Sequence, residues 1–176
     1  MNHNLTPNYI CGFKFVNWSD LAWACERSII PWNFAVDFAR ENVTSDSPEI
    51  EKMICIAPRH LEFDLIKMIM TLTDKNQGDE LSVRRKWLFI ILKWVYINRD
   101  DYKDPLEEVE IIYADFEYPE VITPFVRYMP PDKSYNPRNF EYSENINRLY
   151  SNWKRYLDIE EAKLSSKSIN EGTKSK

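Results

Sequence analysis

Residues 87–97 read Trp-Leu-Phe-Ile-Ile-Leu-Lys-Trp-Val-Tyr-Ile, and Lys93 is the only charged residue among them. A helix lying on a protein surface keeps a polar stripe, and a half-buried strand alternates polar with apolar. This segment does neither, so whatever it forms must be covered on several sides. With its flanks the pattern runs from Glu80 to Ile97, too long for an ordinary strand and ordinary for a helix. The spacing therefore predicts a central helix from Glu80 to about Ile97, with a buried strand at Trp87–Leu92 as the rival. The rest of the chain has to wrap around it.

The remaining segments supply wrapping helices. Glycine is scarce, at three, which disfavours a many-stranded hairpin fold and a phosphate-cradling loop. Residues 1–16 read as irregular, with a short extended piece at Phe13–Val16. Asn17 or Ser19 can cap a helix carrying Leu21, Ala22, Cys25 and Ile29. Pro31 can start the next, where its missing N–H costs nothing. Ser47 and Pro48 restart the pattern, Pro58 ends it, and Leu61, Leu65, Met68, Ile69 and Leu72 make a further stripe. The segment 74–80 reads as a turn. Asp104 and Pro105 open a helix with Leu106, Val109, Ile112, Tyr113 and Phe116 on one face. After a long loop over 129–142, a last helix is expected at about Glu144–Glu161. The expectation is an all-α single domain over 1–162, seven or eight helices packed as antiparallel helical hairpins. A lysine-rich, disordered tail is expected over 163–176.

Catalytic residue types are thin. There are two histidines, no HExxH, no GxSxG and no glycine-rich phosphate loop. His3 lies on a loose terminus, and His60 reads as a structural or solvent-facing residue at a helix start. Cys11, Cys25 and Cys55 form no CxxC and match no zinc spacing, so they read as reduced thiols. No metal or other cofactor is expected, and the chain reads as a non-enzyme. The formal charge is −5, and the last fourteen residues hold four Lys and one Glu, leaving −8 on the body. Such a body disfavours nucleic acid, whose phosphates need Lys and Arg, and suits a basic protein. No secretory signal or membrane-length apolar run is evident, so a cytoplasmic location with no membrane association is expected.

The acids concentrate in one place. Between Arg99 and Glu120 there are nine, opposed in that stretch only by Arg99 and Lys103. At about 100° per residue, Leu106, Val109, Ile112, Tyr113 and Phe116 share an arc of about 120°. Glu107, Glu108, Glu110 and Asp115 spread over the other side, and Ile111 falls between Glu107 and Asp115. A metal-assisted hydrolase could use clustered carboxylates, but no Lys or His accompanies them at 104–126. Ile111 can pack beneath a neighbouring segment above a plain solvated face. It can equally be an apolar anchor ringed by carboxylates, the pattern of an interface with a desolvated centre and polar rim. Three adjacent bases, Arg84, Arg85 and Lys86, are expected to pair with acids of the 100–108 segment.

Two stretches carry a resemblance. "FVNWSDLAWACERSII" and "KWLFIILKWVYINRDDYKDPLEEVEIIYADFEYPEVITPFVRYMPP" resemble a family of small bacterial proteins classed as a domain of unknown function. The similarity covers about residues 13–157, and "IYADFEYPE…FVRYMPP" is its most specific part. The chain looks like the immunity proteins that accompany polymorphic or contact-dependent growth inhibition toxins.

Composition and resemblance together lead to one expectation. The chain would be a cytoplasmic immunity protein that binds a cognate toxin, a basic protein such as a nuclease domain, and occludes its active-site surface. Glu107, Glu108, Ile111, Asp115, Glu117 and Glu120 are the expected toxin contacts. The alternative is a helical adaptor holding a peptide in an aromatic groove built from Trp23, Trp32, Trp87 and Trp94.

Overall fold

A computed structural model describes the backbone of residues 4–73 and 79–172, and side chains as far as residue 166. The described residues form eight α-helices and short 3-10 turns, with no strand among them. The fold is all-α, and the central segment is a helix, α6, with the expected bounds Glu80–Ile97. Two compact units share that helix, the boundary falling between Trp87 and Leu88. No helix among the described residues is long and apolar enough to cross a membrane.

The first unit contains α1 (Pro7–Cys11), α2 (Trp18–Glu26), α3 (Phe34–Asn42), α4 (Glu49–Ile56), α5 (Glu62–Thr73) and the start of α6. α3 packs on α4 and on α1, and α5 packs on α2 and α4, so the contacts go beyond consecutive hairpins. Leu21, Ala35, Ile54, Leu65 and Ile69 are fully buried at this centre. Asn17 caps α2 in a reciprocal box: its Oδ1 accepts from the Asp20 N–H at 3.0 Å, and Asp20 Oδ2 accepts from the Asn17 N–H at 2.8 Å. The far end of α2 closes with Ser28 at φ 55°, the Ile29 N–H reaching the Ala24 carbonyl and the Ser28 N–H that of Cys25. This bond pattern normally recruits glycine, and a glycine-poor chain makes it with serine.

Several local expectations need correcting. The first sixteen residues hold a helix, α1, capped by Thr6 with Pro7 as its first residue. Phe13–Val16 is a turn rather than an extended piece, closed by the Val16 N–H on the Phe13 carbonyl. α3 begins at Phe34 because the carbonyls of Pro31 and Trp32 first accept from Phe34 and Ala35 in a tight turn. Ser47 does not cap α4. Its Oγ accepts from the Thr44 N–H at 3.0 Å, and Pro48 takes the cap position. The expected turn at 74–80 lies mostly outside the described residues.

The second unit, Leu88–Ser166, contains the rest of α6, α7 (Pro105–Asp115), a 3-10 turn over Glu120–Phe125 and most of α8 (Tyr142–Gly172). Its centre is aromatic. Phe125 stacks on Trp153 with centroids 6.0 Å apart and planes 4° apart, and Tyr96 meets Trp153 edge-on at 5.1 Å. Both Phe125 and Trp153 are fully buried, a burial that contributes about 1.5–3 kcal/mol for a ring such as Phe125. Asn152 Nδ2 donates to the Pro124 carbonyl at 2.8 Å and fixes the 3-10 turn against α8. α8 does not stop near Glu161. Leu149, Trp153, Tyr156, Leu157, Glu160 and Leu164 are all buried at helical spacing, so the packed stripe continues beyond Glu161 and the helix runs to Gly172. The region expected to begin a tail at residue 163 is thus helical through residue 172.

Candidate protein-binding face on α7

α7 begins where its sequence says it should. Asp104 Oδ1 accepts from the N–H groups of Leu106 and Glu107 at 3.1 and 3.2 Å, and Pro105 is the first helical residue. Leu106, Val109, Ile112 and Tyr113 are buried, as the wheel predicts. Ile111 points away from that core and is 44% exposed. Glu107, Asp115, Glu117 and Glu120 are exposed as well, and Glu108 is half-buried. Burial raises the Glu108 carboxyl above its ordinary value, and the neighbouring Glu107 charge adds to the rise. The 3-10 turn that packs on α7 presents Val121 beside Glu120, with Ile122 and Phe125 turned inward.

The structure separates the acids into two groups. Arg127 donates from Nη1 to Asp104 Oδ2 at 2.6 Å and grips Glu110 with two bonds, Nε to Oε1 at 2.8 Å and Nη2 to Oε2 at 3.1 Å. Such a planar two-point grip is the strong form of ion pairing. It raises the Arg127 pKa. Asp104 and Glu110 are therefore spent on holding the segment after the 3-10 turn against α7. Glu107, Asp115 and Glu120 enter no ion pair among the described residues. Of the acids expected to bind, none is claimed by Arg127.

The C-terminal end of α7 is built without glycine. Glu117 and Tyr118 both take left-handed φ, 60° and 58°. The Tyr118 N–H reaches back to the Tyr113 carbonyl at 2.8 Å, and the Glu117 N–H to that of Ala114 at 3.0 Å. The same wrap brings the Tyr118 ring edge-on to Tyr113, centroids 5.3 Å apart and planes at 81°. Tyr128 approaches Tyr113 at 6.2 Å. Tyr118 and Tyr128 remain 62% and 59% exposed. Acids and exposed rings thus occupy one end of one helix.

One pairing differs from expectation: Lys86 Nζ lies 2.7 Å from Asp20 Oδ2 rather than meeting an acid of the 100–108 segment. Three of the tryptophans named for the aromatic groove belong to the first unit. Trp87 is fully buried, Trp23 lies under the Arg27 guanidinium at 4.1 Å, and Trp32 borders a separate hollow with Phe34 and Glu62. The long loop is tied down locally. Tyr135 stacks on Phe140 at 4.8 Å, its hydroxyl donates to Asn145 Oδ1 at 2.7 Å, and Arg148 covers its other neighbourhood at 4.4 Å. Arg127 and Tyr128 were missed as site residues, although both belong to the "FVRYMPP" stretch. Among the described residues no group of three or more His, Cys, Asp or Glu is disposed to hold a metal ion.

The model of a family described as "Uncharacterized protein conserved in bacteria", DUF2247, matches residues 12–161. The match covers most of the chain, and the chain belongs to that family. No curated protein and no solved structure matches it.

Proposed function

Within this DUF2247 family we propose that the chain is a stoichiometric binding protein, a cytoplasmic immunity protein that docks its α7 face on a basic toxin domain. One observation carries the reading. Ile111 is 44% exposed on a face where Glu107 and Asp115 stand free of the Arg127 clamp. An apolar centre with a charged rim excludes water at the middle and orients a partner at the edge. The acids accelerate encounter with a cationic surface and set its direction, and the apolar and aromatic groups hold the complex. Binding there would cover the cationic groups with which a nuclease grips phosphate, and so block substrate without any chemistry by this chain.

The test is co-expression with the product of the adjacent gene. Co-purification of the two chains and rescue of growth support the reading; a toxic neighbour with neither complex nor rescue ends it. Charge reversal at Glu107, Glu108 and Asp115 should then slow association and flatten its dependence on salt. Unchanged association would leave the role standing and remove this face from it.

A further inference from the structure

The three tyrosines at the C-terminal end of α7 have a chemistry of their own. Tyr113 is 5% exposed and forms a floor; Tyr118 and Tyr128 stand against it with more than half of their surface outward. Aromatic faces carry negative potential and attract cations within about 6 Å of the ring centre. Elsewhere the chain caps its own rings: Arg27 lies over Trp23, Arg148 over Tyr135, Arg99 over Tyr96 and Lys67 over Phe63. Among the described residues no cation of the chain covers Tyr113, Tyr118 or Tyr128. The nearest guanidinium in sequence, Arg127, is held by Asp104 and Glu110.

Two features beside the cluster favour positive charge. α7 ends here, and the carbonyl end of a helix is the negative end of its dipole. Glu117 stands between the helix and Tyr118 along the chain and is exposed.

We propose that Tyr113, Tyr118 and Tyr128 form a receptor for an arginine side chain of the partner. A guanidinium suits the place better than an ammonium, because its plane can stack on an aromatic face. The proposal rests on the binding role above and names the contact that would give it specificity.

The test is titration of the full chain with hexa-arginine, read as shifts of the tyrosine ring resonances by NMR. Tyr118 and Tyr128 should move, and hexalysine should move them less. Tyr118→Leu combined with Tyr128→Leu removes the π faces but keeps apolar bulk, and should weaken hexa-arginine binding about tenfold. Tyr118→Phe with Tyr128→Phe keeps the faces and should bind nearly as the parent does. Circular dichroism and thermal melting of each variant check the fold. Undisturbed rings, or equal loss in the Phe and Leu pairs, overturns the proposal. So does full binding by the Leu pair, which would leave only the carboxylates of α7 as the docking element. If the rings bind hexa-arginine but the adjacent gene's product forms no complex, the receptor stands and the immunity role falls.

Discussion

Lys86 Nζ and Asp20 Oδ2 lie 2.7 Å apart in the first unit, with the Asp20 side chain fully buried and that of Lys86 16% exposed. The next residue, Trp87, donates from Nε1 to the Asp20 carbonyl at 2.7 Å. Two consecutive residues of α6 thus hold the first turn of α2 through one aspartate, which also completes the capping box.

A buried pair of this kind is costly to break from one side. Lys86→Met should destabilise the chain by about 3–5 kcal/mol, because the fully buried Asp20 carboxylate then loses the ammonium held 2.7 Å away. Adding Asp20→Asn should recover part of the loss by removing the stranded charge. Urea unfolding of the two variants measures both, and a double variant as unstable as Lys86→Met would contradict it.

Glu117 holds a left-handed conformation that glycine adopts without strain. Glu117→Gly should therefore stabilise the fold by about 0.5–1 kcal/mol, seen as a raised melting temperature.

Acid should loosen the α7 clamp. Burial pushes the Asp104 carboxyl up, but bonds from Arg127 and from the Glu107 and Leu106 N–H groups outweigh it and hold the group below its ordinary 3.8. A carboxyl depressed on folding adds stability that is full above its unfolded value and is lost as pH falls through the lower folded value. The stabilisation should thus be intact at neutral pH and fade below about 3.8. Arg127→Met should cost about 1 kcal/mol at neutral pH, the pair being partly exposed. It should also flatten this part of the acid limb in pH-dependent denaturation.

The thiols should react in a fixed order. Burial, then Glu26 and Glu62, push Cys25 up to about 12, so it stays protonated in the native chain. Burial, with Glu41 and Asp37, raises Cys11 as well. Cys55 is the least buried of the three. A thiol reagent at neutral pH should label Cys55 first, and Cys25 only on the timescale of unfolding. Fast labelling of Cys25 would mean that α2 opens locally.

How far the site could be read in advance depends on the reach of each signal. The angular place of Ile111 among the acids and the capped start of α7 were legible, because spacing and capping act within a few turns; that Ile111 stays exposed was left open. Arg127 was not legible. Its partners lie 23 and 17 residues away, and no local pattern says where the chain turns after Pro124. The Tyr113–Tyr128 approach has the same origin. Lys86 was assigned to the wrong acids because the 100–108 segment offered several candidates nearby in sequence, whereas Asp20 is 66 residues away.

By itself the sequence determined that the chain is all-α, with its most apolar helix, α6, running from Glu80 to about Ile97 and α7 opened by Asp104 and Pro105. Periodicity and capping act between neighbours in the chain, so they survive without knowledge of the fold. Only the tertiary structure decided which acids of α7 are neutralised, which stay outward, and that two tyrosines meet a third at its end. Those outcomes depend on where distant segments come to rest against each other, and charge and ring pairing then follow distance in space rather than along the chain.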